Sequence, residues 1–431
     1  MGTTKLRVFW PRPFHLAAGV AIMAGLLGGP VAAHAADLGG DCCTDLEERV
    51  AELEAATVRK SGRVSITLSG YLTKQAMFWD DGVEKNTYVA DIGPTQATNF
   101  RIIGQATIVP GWTAGYLIRV QDLSDNTTLL NQFVDNDRQG LNVQMSNWFL
   151  ASANYGKLTV GKQALASKSA AMFTDLSGTQ LIANYVLFDG PGFFLRQHGE
   201  LISLRWGDIG YCYSQARPWG GDCDGIVMDG FRYDSPTFGG FSWSGSFGQD
   251  DDWETTGRYA GELGGFKLAL GVGYSVNTDE NLQARVSFGK DSGFFQAGGY
   301  VEHLATGLFL HADYGNEDNH GTRILSGLRE PDSHQWYVKP GIRRKWTSLG
   351  ATILYGEYTQ YIDQIGPQAL NAGVTSSEFT RWGFGVAQEL DKAAITLWLK
   401  YRQHDGEVTG GPFSGGVDTF RYISAGGLIY F

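Results

Sequence analysis

Arg101, Arg119, Arg258, Lys267, Lys339, Arg343, Lys400 and Arg402 each stand on the opposite parity to a run of apolar residues. That two-residue period belongs to strands with one apolar and one polar face. Cations spaced in this way share a wet surface and generate a field along it; they do not assemble a reaction centre. The opposite sign comes from Asp175, Asp189 and Asp208, within a long stretch, 164–225, that has no sustained alternation. If these carboxylates form the wall facing the cations, a transverse field results, which orients polar solutes and repels apolar ones.

Reaction chemistry finds little support. His198, His303, His311, His320, His334 and His404 sit neither in HExxH nor beside a GxSxG elbow. His311 and Asp313 share the polar parity of one strand, whereas a lipase acting at a lipid-facing wall needs its His on the other. The Gly-rich stretch 261–265 has no helix after it to hold phosphate. Neither cysteine pair, Cys42 and Cys43 or Cys212 and Cys223, has CxxC spacing, and zinc needs more ligands. Cys212 and Cys223 are candidates for a disulfide in an oxidising compartment. Adjacent Cys42 and Cys43 hardly bridge each other, so they pair between subunits or stay free. Asp41 before Cys42 breaks a lipid-attachment motif. No metal and no cofactor are expected, and the acidic stretches Asp80–Asp81 and Asp250–Asp252 read as solvated loop tips.

The 431 residues include 59 Gly and 13% aromatics but only 18% charged residues. This composition lacks a G-X-Y period and is too aromatic for disorder. Residues 1–35 read as a cleaved signal peptide: Lys5, Arg7 and Arg12, an apolar stretch from Leu16 to Val31, then Ala33-His34-Ala35. Past that segment no apolar run is long enough for a membrane helix. With its three cations gone, 31 of the 34 basic residues remain against 45 acidic ones. Nucleic acid is therefore not expected as a partner. In 36–62, Cys43, Leu46, Val50, Leu53 and Thr57 recur at helical spacing, which predicts a short periplasmic helix. That helix either packs on its own domain or forms a short coiled coil between subunits.

From residue 63 to 431 the period becomes two. Val64, Ile66, Leu68, Gly70 and Leu72 oppose Ser65, Thr67, Ser69 and Tyr71, and the pattern recurs to Ile423, Ala425, Gly427, Ile429 and Phe431. Sixteen strands fit, with short links at Val109–Gly111, Tyr155–Gly156, Ser235–Gly239, Glu262–Gly264, Leu304–Thr306, Thr347–Gly350 and Leu390–Lys392, and mostly long polar links between. Tight turns at one end and long loops at the other describe an all-β, transmembrane, antiparallel up-and-down barrel. An even strand count assigns Asn281–Phe288, which also alternates, to a loop. Outward Phe78, Phe247, Trp253, Tyr259, Phe266, Tyr274 and Tyr314 suit an aromatic girdle. A charge on the lipid face costs about 2–4 kcal/mol at midplane, so the alternating cations are expected inside. Segment 164–225, rich in Phe, Tyr and Trp, is expected to fold inward and narrow a water-filled lumen. Passive diffusion of small hydrophilic solutes and ions is the expected function. A sugar-selective channel, with loop aromatics stacking on pyranose rings, and an outer-membrane barrel enzyme or receptor are the alternatives.

The segment from Asp41 to Glu54 followed by Val64–Gly70 resembles the mature start of general diffusion porins of the alphaproteobacterial type. So do Phe231-Arg232-Tyr233-Asp234-Ser235-Pro236-Thr237-Phe238-Gly239-Gly240-Phe241, Gly257–Glu262, Trp336-Tyr337-Val338, Tyr355-Gly356-Glu357-Tyr358 and the closing Phe431. The resemblance implies a homotrimer in the outer membrane, among lipid and lipopolysaccharide, with the third external loop folded into each channel. It also implies that Phe431 is a signal for the barrel-assembly machinery. Where such porins often carry Gly-Arg-Gln before the constriction loop, this chain has Gly161-Lys162-Gln163, which adds Lys162 to the expected pore-lining cations as a point charge without the fork of Arg.

Overall fold

The computed structural model describes residues 57–61, 64–93, 96–136, 139–210, 227–249, 251–278, 292–319 and 327–431. Strands β1 (Thr57–Ser61), β2 (Val64–Asp80), β3 (Lys85–Ala90), β4 (Asn99–Val109), β5 (Trp112–Asp122), β6 (Leu141–Ser152) and β7 (Gly156–Ala164) lead to a long insertion. The insertion holds a 3₁₀ turn (Met172–Thr174), the hairpin β8 (Phe194–Gln197) and β9 (Glu200–Arg205), and a single helical turn α1 (Trp206–Ile209). The wall resumes with β10 (Val227–Asp234), β11 (Phe241–Gly248), β12 (Asp252–Leu263), β13 (Phe266–Asn277), β14 (Ser292–His303) and β15 (Leu308–Asp318). Then come β16 (Ser333–Thr347), β17 (Gly350–Ile362), α2 (Pro367–Asn371), β18 (Ser376–Leu390), β19 (Ile395–Thr409) and β20 (Gly415–Tyr430).

β2, β4 to β7 and β10 to β20 form a closed antiparallel barrel of sixteen strands. β7 and β10 pair directly across the insertion, from Ala164↔Val227 to Lys157↔Asp234. β20 returns to β2 from Tyr71↔Tyr430 to Asp80↔Arg421 and closes the cylinder. Every expected short link falls between consecutive wall strands at one end. β13 and β14 pair through Asn277↔Ser292, so no wall strand separates them; Asn281–Phe288 itself lies outside the described residues.

Alternation decides which face each residue takes, and here the usual order is inverted. Leu72, Phe78, Val272, Phe384, Leu399 and Ile429 point outward and exposed, while Thr73, Gln75, Arg381 and Lys400 are buried inside. An exposed apolar surface this continuous belongs against lipid. Within the barrel, aromatic and aliphatic side chains from the insertion and from the wall form mixed clusters with the buried polar groups.

Two local features depart from the sequence expectation. Thr57–Ser61 is already a strand, paired with β2 up to Ser61↔Val64, so the expected helical stretch 36–62 gives way at its β-branched Thr57-Val58. Residues 36–56, with Cys42 and Cys43, lie outside the described residues. The second departure is a broken wall strand. β3 pairs with the upper half of β2 and β4 with its lower half, with 91–98 leaving the ladder between them. Lys74, which interrupts the apolar parity of β2 between Leu72 and Ala76, reaches Asp91 in that break at 3.2 Å. The break thus supplies the counter-charge that an outward lysine needs.

Candidate functional site

The insertion leaves the wall after Ala164 and crosses the inward faces of successive strands. Ala166 N donates to Ser246 Oγ (2.9 Å), Ser167 N to Glu254 Oε2 (2.6 Å) and Ala171 N to Gln296 Oε1 (3.0 Å). Gln296 Nε2 in turn donates to Ser167 O at 2.8 Å, so one inward side chain of β14 fastens two points of the loop. Backbone groups of a lumenal segment need such partners, because the surrounding strands have already used their own.

Further along, the wall contributes charge. Lys339 on β16 ion-pairs Asp175 and donates to Thr179 Oγ1 (3.0 Å) and Ala183 O (2.7 Å). Lys400 on β19 donates to Asp189 Oδ2 (2.6 Å) and Ile182 O (3.0 Å). Arg402, two residues on and therefore on the same face, lies 3.3 Å from the same carboxylate oxygen and binds Glu357 at 2.6 and 3.0 Å. Gln75 Nε2 (2.9 Å) and the Tyr422 hydroxyl (3.2 Å) complete the shell of Asp189. Burial opposes the charge on Asp175 and Asp189. The adjacent cations outweigh it and hold both carboxyls below the usual carboxylate range. Asp189 therefore stays ionised, and the loop is clamped to the wall at that point.

This geometry corrects the expected transverse field. Asp175 and Asp189 do not face Lys339, Lys400 and Arg402 across open space; they are in contact with them, because each loop carboxylate sits against the wall that carries its counter-ion. Asp208 does something else again. Its Oδ2 accepts from Arg205 N at 2.8 Å and so caps α1, and burial pushes its carboxyl up to about 7. The loop aromatics are also spent on packing: Tyr185, Phe193 and Trp206 are buried, with Trp206 5.0 Å from Phe379 and 5.3 Å from His404. These rings are not available to stack on a sugar. Tyr211, Tyr213, Trp219 and the proposed pair Cys212 and Cys223 lie outside the described residues.

On β4 and β5, Arg101 and Arg119 are cross-strand partners with inward, buried side chains. Arg101 Nε donates to Ser69 Oγ (2.9 Å) and Arg119 Nε to Asn99 Oδ1 (3.1 Å). Arg258 reaches Ala166 O (3.1 Å) and Ser244 Oγ (3.3 Å). Lys267 and Arg343 are inward near the tight turns, and Arg343 pairs with Glu389 at 2.6 Å. Lys162 is a second correction. It follows the parity of outward Leu158, with Thr159 and Gln163 buried inside, and its Nζ caps Val143 O at 2.9 Å on the exposed side. An unbroken two-residue period overrides the expectation taken from the Gly-Lys-Gln sequence.

Three inward residues escaped the sequence reading. Arg381 donates to Val186 O (3.1 Å) and Asn184 O, Arg232 pairs with Asp234 at 2.8 Å, and Glu357 holds Arg402. The signal for Arg232 was present, since it alternates with exposed Phe231 and Tyr233. Nothing local marks Glu357 as the partner of a residue 45 positions away. His311 Nε2 lies 3.0 Å from both Thr174 Oγ1 and Asp313 Oδ1, while its Nδ1 has no partner. A nucleophile relay needs the two neighbours on different ring nitrogens.

A closed barrel with an apolar outer band, tight turns at one end and a charged, loop-filled lumen defines an outer-membrane β-barrel channel protein. The model of the Gram-negative porin family matches residues 18–408, and the chain belongs to that family. Among solved structures, OmpT of Vibrio cholerae folded in vitro matches at a TM-score of 0.52 and 13% identity, over 87% of this chain and 100% of that one. The outer membrane channel DcaP of Acinetobacter baumannii matches at a TM-score of 0.51 and 12% identity, over 87% and 100%. At these identities the likeness is one of fold. No curated protein matches the chain significantly.

Proposed function

We propose that the protein is a passive outer-membrane channel for small hydrophilic solutes and ions, in which the insertion limits size and lumenal charge biases the traffic. The observation that carries this reading is the clamp of the insertion inside the barrel through Asp175–Lys339 and Asp189–Lys400–Arg402. A loop fixed by buried ion pairs is a stationary constriction, whereas a loop held only by surface contacts moves with voltage and temperature. The inward Arg101, Arg119 and Arg258 favour anions at the wall. Absence of reaction chemistry is part of the proposal, supported by the single-nitrogen arrangement at His311. So is a homotrimer: one solved OmpT structure from Vibrio cholerae is described in a trimer form. Lipopolysaccharide around the exposed apolar band and the barrel-assembly machinery acting on outward Phe431 complete the proposed partners.

Single-channel recording in planar bilayers tests the function. Ohmic steps that close in threes are expected, and deletion of most of 164–225 should raise the conductance of each step. A heat-modifiable, folded barrel that gives no steps would remove the channel reading. Unchanged conductance in the deletion would remove the constricting role of the loop.

A further inference from the structure

Beneath the insertion, at the tight-turn end of the barrel, lies a cavity of about 480 Å³, within the size range of small-molecule sites. One side is apolar, made by Leu181, Ile182, Trp398, Leu428 and Tyr430. The other side carries Asp175, Lys267, Arg343, Glu389 and Asp391. Gly178 lets the loop close over this charged side: a Cβ there would meet Glu389 Oε1 at 2.8 Å and Arg343 Nε at 3.6 Å.

The hydrogen-bonding capacity of the charged side is not balanced. Each carboxylate already has a cation: Asp175 holds Lys339, Glu389 holds Arg343 at 2.6 Å and Asp391 holds Lys345 at 2.7 Å. The donors are less complete. Lys267 makes no ion pair or hydrogen bond among the described residues, and Arg343 Nε is buried without an acceptor. Glu302, the cross-strand partner of Lys267, accepts from the Tyr300 hydroxyl at 2.9 Å and does not line the cavity. An ammonium left over beside an apolar wall specifies an occupant with acceptor oxygens at one end and an apolar body at the other.

We propose that this cavity binds a monocarboxylate with an aromatic or short aliphatic body. Lys267 Nζ holds the carboxylate, and the body lies against Trp398, Leu428 and Ile182. The proposal rests on the channel reading, since the lumen is the route by which a solute arrives. It narrows the general solute class to one that lingers at the tight-turn mouth.

The test is calorimetry with 4-phenylbutyrate on the full protein in lipid nanodiscs, alongside 4-phenylbutyramide, which keeps the body and loses the charge. One-to-one saturable binding is expected, about tenfold or more weaker for the amide and for Lys267→Gln. Equal affinities of acid and amide would overturn the proposal, as would absence of saturable heat. Undiminished binding by Lys267→Gln protein that still shifts on heating in a gel would do the same. The acid and amide comparison uses the unaltered chain and so decides the matter even where the variant does not fold. Bilayer currents from the same preparation separate the two readings. Binding without conductance removes the channel and leaves the site; conductance without binding removes the site and leaves the channel.

Discussion

At the residue scale, one carboxylate carries more of the site than any other. Asp189 gathers Lys400, Arg402, Gln75 and Tyr422 around a single loop position. Asp189→Asn leaves buried Lys400 without its carboxylate and Arg402 with Glu357 alone, a loss of about 3–5 kcal/mol. The expected outcome is noisier single-channel current and protease cleavage within 165–210. A quiet, protected loop in that variant would show that Asp175 and the packing hold it unaided. Replacing Arg101, Arg119 and Arg258 by Gln should move the reversal potential in a salt gradient toward cation selectivity without loss of the folded barrel. Lys162→Gln should leave the reversal potential unchanged, because that side chain is outside. The arginines were legible in the sequence because the strand period alone sets the face. The pairing of Asp189 with two cations more than 200 positions away was not, since only closure of the barrel brings β19 to the loop.

At the element scale, the insertion behaves as two units with opposite responses to acid. Asp175 and Asp189 have carboxyls held below their ordinary range. Their contribution to docking is complete above the ordinary carboxylate value near 4 and is lost as pH falls through the depressed one. Asp208 is shifted the other way, up to about 7. Folded α1 retains a proton there that an undocked chain releases, so its docking strengthens as pH falls from 7 towards 4 and then levels off. Hydrogen exchange of the α1 amides, taken as the ratio between Asp208→Asn and unaltered protein, should diverge with rising pH across that window. A flat ratio would show that the α1 carboxyl does not couple to docking. None of this was visible in advance. The aromatic and acidic content of 164–225 indicated a folded segment, but which carboxylate meets a cation and which caps a helix depends on the path through the lumen.

At the scale of the whole molecule, the barrel is completed at one seam. Phe431 exchanges two backbone hydrogen bonds with Gly70, at 2.9 and 3.0 Å, just below the last β20 to β2 pair. Gly70 is there because β4 passes so closely that a Cβ would lie 2.3 Å from Asn99 O. Gly70→Val is therefore expected to prevent closure, and deletion of Phe431 to lower the yield of folded barrel, both read as loss of the heat-modifiable band on an unheated gel. Normal yield of the Gly70→Val barrel would mean that the strands separate there at little cost.

The sequence by itself determined the wall. Alternation assigns each side chain to lipid or lumen, and turn chemistry places each hairpin, because both act over fewer than ten residues. It set the face of Lys162 too, once parity is weighed above the motif. The tertiary structure decided the contents of the lumen: that the loop acids are spent on the cations of one wall, that Glu357 secures Arg402, that the aromatics pack instead of facing solute, and that a half-charged, half-apolar cavity is left at the tight-turn mouth. Those outcomes depend on contacts between residues far apart in the chain. Such contacts have no local period to betray them, and they exist only after the sheet has curled round to meet itself.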